Sequence, residues 1–93
     1  MPIKVTDENN NEVAWLSDEV WDLPEQMKSF DNWLSKDGHK LKKGNYVADL
    51  GFSPREGAAG GGYVVSKESM KIMLVIGMEL YLSEYSAFEN EKP

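Results

Sequence analysis

A chain of 93 residues with no Cys, 28% charged and 41% hydrophobic, is long enough to build one core and too short for two. Sixteen acidic side chains against ten basic ones give a net charge of −6 and a pI near 4.7, which argues against a protein that grips nucleic acid through a broad basic face. With no Cys there is no disulfide framework, thiolate zinc site or Cys nucleophile, as fits a reducing compartment, and a cytoplasmic location is expected.

The first segment, Ile3-Lys4-Val5-Thr6, alternates apolar and polar as a half-buried strand does, and Val13-Ala14-Trp15-Leu16 can return antiparallel to it. Between them Asn9, Asn10 and Asn11 suit the left-handed conformations of a short reversal. The start of the chain lacks an apolar signal core, and the longest apolar run, residues 72–78, is far short of the ~20 residues that cross a bilayer, so no membrane contact is expected. Residues 17–21 read equally as a helical turn or as loop.

A helix then begins at a well-marked point. Asp22 and Glu25 have the spacing of a reciprocal capping box, and Pro24 suits a first turn, where its missing N–H goes unused. Its apolar stripe is Met27, Phe30, Trp33 and Leu34, leaving Lys28, Asp31, Asn32 and Ser35 for the other side, and Gly38 marks the stop. After a Lys-rich connection, Tyr46, Ala48, Leu50 and Phe52 share one face of a strand, with Val47 and Asp49 on the other. Residues 53–62 hold four glycines and a proline and read as a loop. Tyr63-Val64-Val65 reads as a fourth strand. Ser66 caps a helix over residues 67–76, which is apolar nearly all round in its second half and so expected to be buried on most sides, and Gly77 stops it. The last strand, residues 78–85, sets Met78, Leu80 and Leu82 against Glu79, Tyr81 and Ser83.

The expected fold is therefore α+β, a single two-layer domain over residues 1–86 with element order ββαββαβ. It would have a mostly antiparallel five-stranded sheet with two helices on one face, and a frayed tail at 87–93.

Charge is unevenly placed along the chain. Residues 1–31 carry eight acids against two lysines, residues 32–43 four lysines against one acid, and residues 78–93 four acids against one lysine. The densest patch interleaves Glu12, Asp18, Glu19, Asp22 and Glu25 with Trp15 and Trp21. An acidic rim around exposed aromatics is how a small protein binds a basic partner, the charges steering encounter and the Trp anchoring it. Acids at a helix start also complement its dipole with no partner at all, and both readings stand.

Motifs for chemistry are sparse. The Gly-rich loop lacks a Gly-Lys-Ser/Thr and precedes a strand, so it does not read as a phosphate cradle; it is a connection or a contact loop offering Arg55 and Glu56. The run from Asp7 to Glu12 has oxygen ligands at alternate positions, but Glu12 stands where a calcium loop turns on Gly and Asp18 where it wants a bidentate Glu. His39 is the only His and lies among lysines. The expectation is no enzyme, no cofactor and no metal, with a small enzyme or metal-binding module on Asp49, Glu56 and the Gly-rich loop as an alternative. The basic island Lys36, Lys40, Lys42 and Lys43 could pair with the acidic patch of a second copy, so a homodimer is compatible with the sequence.

Tyr46-Val47-Ala48-Asp49-Leu50-Gly51-Phe52, then Gly60-Gly61-Gly62-Tyr63-Val64-Val65-Ser66, a helix, and Met78-Glu79-Leu80-Tyr81-Leu82-Ser83-Glu84-Tyr85 make a pattern over residues 46–85. It resembles the C-terminal halves of the small acidic immunity proteins of bacterial polymorphic-toxin and contact-dependent inhibition systems. That resemblance implies inhibition by occlusion of a cognate toxin, often a basic nuclease, and carries over no individual residue. The expected function is a non-catalytic protein binding a basic protein through Glu12, Trp15, Asp18, Glu19, Trp21, Asp22, Glu25, Arg55 and Glu56. A phage-encoded inhibitor of a host nucleic-acid-binding defence system is the alternative from the same physics.

Overall fold

Asp7 organises the first reversal. Its carboxylate accepts the backbone N–H groups of Asn9 and Asn11, both at 2.9 Å, and the Asn11 side-chain amide at 3.3 Å, while Asn10 takes the left-handed conformation at φ 66°. The flanking strands β1 (Ile3–Thr6) and β2 (Glu12–Leu16) pair antiparallel, Ile3 opposite Leu16, Lys4 opposite Trp15 and Val5 opposite Ala14. The register then slips so that Thr6 faces Glu12, leaving Val13 as the extra residue of a bulge. The computed structural model describes residues 2–17, 19–54, 57, 59 and 62–85.

Helix α1 (Leu23–Lys36) starts where its sequence predicts, with the Asp22 side chain accepting the Glu25 N–H at 3.2 Å and Pro24 in the first turn, but the reciprocal half of the expected capping box is not made, the Glu25 carboxylate turning to Lys28 instead. Glu25 pairs with Lys28 at 3.5 Å, an exposed contact worth little. Met27, Phe30 and Leu34 are buried, and Trp33 is half-buried, its ring stacked on Phe30 at 6.2 Å. A short 3₁₀ turn at Gly38–Lys40 follows the helix. Before α1, the described residues 17 and 19–21 are not helical; Val20 N–H donates to the Ser17 carbonyl at 3.0 Å.

Strand β3 (Tyr46–Phe52) lies antiparallel to β1, with Ile3 opposite Leu50 and Val5 opposite Ala48. Helix α2 (Lys67–Ile76) has the predicted bounds, because both of its ends are written locally. Ser66 Oγ accepts the Ser69 N–H at 3.0 Å, and Gly77 closes the helix at φ 84° with its N–H on the Met73 carbonyl. That corner is tied to the start of β3: Gly44 N–H donates to the Ile76 carbonyl at 2.9 Å and Tyr46 N–H to the Gly77 carbonyl at 2.8 Å. A side chain at Gly77 would run into the Gly44 carbonyl, so the close approach requires glycine. Strand β4 (Met78–Glu84) leaves this corner already in register and runs parallel to β3 for all seven residues, from Tyr46 opposite Met78 to Phe52 opposite Glu84.

The sheet is thus four-stranded and mixed, in the order β2-β1-β3-β4, with both helices on one face. The α+β class and the two-layer arrangement follow the sequence; the five-stranded, mostly antiparallel sheet does not. Residues 63–65 are not a strand: they pair with no strand of the sheet, β3 having β1 and β4 as its neighbours, and Tyr63 and Val64 are exposed. The core is Ile3, Val5, Ala48, Leu50 and Met78 of the sheet against Met27, Phe30 and Leu34 of α1 and Met73 and Ile76 of α2. Helix α2 is buried on one side only: Met70, Leu74 and Val75 are exposed, contrary to the expectation from its composition. No helix among the described residues is long and apolar enough to cross a membrane. The expected frayed tail lies outside the described residues.

Candidate functional site: the helix-free face of the sheet

Alternation along the strands assigns every second residue to the face that no helix among the described residues covers. Across the four strands one row on that face reads Trp15, Lys4, Asp49, Tyr81, each residue directly opposite the next. The neighbouring row reads Glu12, Thr6, Val47, Glu79. The bulge at Val13 is what brings Glu12 onto the same face as Trp15, because without the extra residue the parity of β2 would send it toward the helices.

The two rows make a surface with an aromatic at either edge. Trp15 on β2 is 48% exposed and Tyr81 on β4 is 51% exposed. Between them lie three carboxylates, Glu12, Asp49 and Glu79, against one ammonium, Lys4. Asp49 is anchored, accepting the Ser83 hydroxyl at 2.6 Å, whereas Glu12 and Glu79 are exposed. A shallow depression of about 370 Å³ opens here, bounded by Lys4, Thr6, Asn10, Val47, Asp49 and Tyr81.

One end of the face is roofed. Gly51, two residues beyond Asp49 on the same side of β3, has the rings of Tyr85 and Trp21 at 2.9 and 3.4 Å from where a Cβ would stand. These rings meet edge to face, 5.7 Å between centroids and 88° between planes. Ser53 N–H donates to the Trp21 carbonyl at 2.9 Å, holding the segment before α1 against the end of β3. Trp21 is therefore a half-buried packing residue at the rim, and Trp15 is the exposed indole.

The acidic patch of the sequence is divided by the fold. Glu12 and Trp15 stand on the helix-free face; Glu19 is exposed in the turn before α1; Asp22 and Glu25 are exposed at the start of α1, where each has a local partner. Asp18, Arg55 and Glu56 lie outside the described residues. Asp49, Glu79 and Tyr81 join Glu12 and Trp15 only through strand order. Their parity is readable in the sequence, which sets Asp49 apart from the Tyr46–Phe52 face and Glu79, Tyr81 and Ser83 apart from Met78, Leu80 and Leu82, but their adjacency is not.

A second, larger groove of about 590 Å³ runs between α1 and the start of α2, where buried Ser69 donates to Asp31 at 2.6 Å. Ser66, which caps α2, and the Ser69–Asp31 pair, which joins the two helices, are among its lining groups. The Asp7 carboxylate, a sequence candidate for an oxygen-rich cation loop, is occupied by Asn9 and Asn11, and among the described residues no three His, Asp or Glu side chains converge in a metal-holding group. No family model, curated protein or solved structure matches this chain.

Proposed function

We propose that this is a non-catalytic binding protein that docks a basic protein on the helix-free face of its sheet and neutralises it by occlusion, as an immunity protein does a cytoplasmic toxin or nuclease. The observation that carries the reading is the ordered surface itself: Trp15 and Tyr81 half-exposed at its edges, Glu12, Asp49 and Glu79 between them, and no helix above. Aromatic side chains supply buried contact area at small entropic cost, and carboxylates set around them speed encounter with a positive surface. Strands hydrogen-bonded in a continuous ladder hold these groups in fixed relation, so little ordering remains to be done on binding. The shallow floor suits a convex protein surface better than a small molecule, which needs a deeper, more enclosed cleft.

The test is affinity capture from the native organism at low salt, followed by co-expression of the captured protein with variants of this chain. A stoichiometric basic protein is expected, whose toxicity the wild type suppresses and Trp15→Ala and Glu79→Lys do not. Truncation of an aromatic anchor is expected to weaken binding roughly 30-fold or more. Capture of no basic protein in stoichiometric amount, or full suppression by both variants, would refute the proposal.

A further inference from the structure

Strand β4 ends the sheet with an edge built for pairing. It is seven residues long, without Pro, Lys or bulge, and among the described residues it is hydrogen-bonded on one side only, along β3. The other edge strand, β2, has five residues and is interrupted by a bulge, one of the devices that blunt an edge; β4 has no bulge, and its only charged side chains are Glu79 and Glu84. The hydrogen bonds at its two ends assign its backbone groups. Tyr46 N–H meets the Gly77 carbonyl and Tyr85 N–H meets the Phe52 carbonyl, so odd-numbered residues face β3 and Met78, Leu80, Leu82 and Glu84 turn their N–H and C=O outward.

An apolar strip lies beside this edge. On α2, Ser69 and Ile72 turn toward α1, Ser69 bonded to Asp31, so by helical spacing Met70 and Leu74 turn away from α1, on the helix that leads directly into edge strand β4. Met70 is 50% exposed, Leu74 79% and Leu82, on the helix side of β4, 56%.

We infer that this edge is the seam of a homodimer, with β4 pairing antiparallel to β4 of a second copy about a two-fold axis at Tyr81. That register uses the whole strand and is self-complementary. Leu80 faces Leu82 of the copy, Tyr81 faces Tyr81, Glu79 faces Ser83 and Met78 faces Glu84. No acid stands opposite or diagonal to another acid, although two of the seven residues are glutamates; shifting the axis to Leu80 makes the two Glu79 side chains diagonal neighbours, and shifting it to Leu82 sets Leu80 against Glu84. The outward groups of Leu80 and Leu82 then form a hydrogen-bonded pair, and Tyr81 a closer non-hydrogen-bonded pair. The two α2 helices flank the seam, covering Met70, Leu74 and Leu82 with their symmetry mates, an isologous contact that closes on itself. The sheet becomes eight-stranded with its helix-free faces continuous.

Sedimentation velocity or light scattering tests the seam without any basic partner, so its outcome is independent of the proposed function. The wild type is expected at twice the 10.5 kDa of one chain. Leu82→Lys, at an exposed position, is expected to weaken the dimer about 30-fold or more with an unchanged far-ultraviolet spectrum. Because the chain has no Cys, register can be read by disulfides. Tyr81→Cys is expected to form a covalent dimer under mild oxidation, its mate lying about 4.5 Å away between Cα atoms. Glu79→Cys is expected to form none, its mate being displaced four residues, about 13 Å, along the seam. A wild type of single-chain mass, or cross-linking of Glu79→Cys as complete as that of Tyr81→Cys, would overturn the inference.

Discussion

Asp7 shows how much one exposed side chain can do for a hairpin. Its pKa is lowered from the ordinary carboxylate value chiefly by the Asn11 N–H, helped by the Asn11 side chain and the Asn9 N–H and opposed by a desolvation effect. A carboxyl whose pKa falls on folding contributes stability that is fully present above its unfolded pKa and is lost as pH drops through the lower, folded value. Asp7→Ala is therefore expected to lower the melting temperature at neutral pH. The gap from wild type should shrink as pH falls below the ordinary aspartate range, because there the wild-type carboxyl is itself protonated. Thermal unfolding of both proteins across pH checks this, and a carboxylate NMR titration reads the lowered midpoint directly. The residue matters beyond the turn, since the hairpin it closes carries the bulge that sets Glu12 beside Trp15.

At the scale of elements, the join between α1 and the sheet rests on a buried amide. Gln26 is fully buried; its Nε2 donates to the Val20 carbonyl at 2.5 Å and to the Gly51 carbonyl at 2.6 Å, while its Oε1 has no partner among the described residues. The side chain thus binds the segment before α1 to the end of β3 at the cost of one desolvated oxygen. Gln26→Met keeps the volume and removes that oxygen together with both bonds, and is expected to destabilise by about 1 to 2 kcal/mol. Gln26→Ala leaves a cavity as well and is expected to cost about 3 to 4 kcal/mol by urea unfolding. The sequence points only to the apolar members of this helix face, Met27, Phe30, Trp33 and Leu34, because a Gln within the first turn looks like any solvated polar residue. The same contrast runs through the fold. Elements whose ends are set by neighbours in sequence, such as α2 between Ser66 and Gly77, are legible. The place of β4 is not, since it depends on a corner bonded to Gly44 and Tyr46, some thirty residues earlier. Tyr63-Val64-Val65 has the composition of a strand and yet joins no ladder, the place beside β3 that an added strand would take being held by β4. The candidate site is legible as parity within β3 and β4 and hidden as a surface, for its rows exist only once four strands are in order.

For the whole molecule, the two proposed associations are separable by salt. Each chain carries a net charge of −6, and the β4 seam offers no acid-to-base pair across it, so the long-range electrostatic effect on dimerisation is repulsion. Raising ionic strength from about 0.05 to about 0.5 M shortens the screening length from more than 10 Å to less than 8 Å, which weakens that repulsion while leaving backbone pairing and apolar burial in place. The dimer is expected to tighten. A basic partner on Glu12, Asp49 and Glu79 meets the opposite sign: screening removes the attraction that steers it, so its association is expected to slow about tenfold or more over the same range. Measuring both equilibria in one salt series, by sedimentation for the dimer and by stopped-flow or surface-based kinetics for the partner, reads the two signs together. Salt-weakening of the dimer would place attractive charge pairs in its interface and so reject the β4 register, whereas a salt-insensitive partner would remove the electrostatic role assigned to the helix-free face.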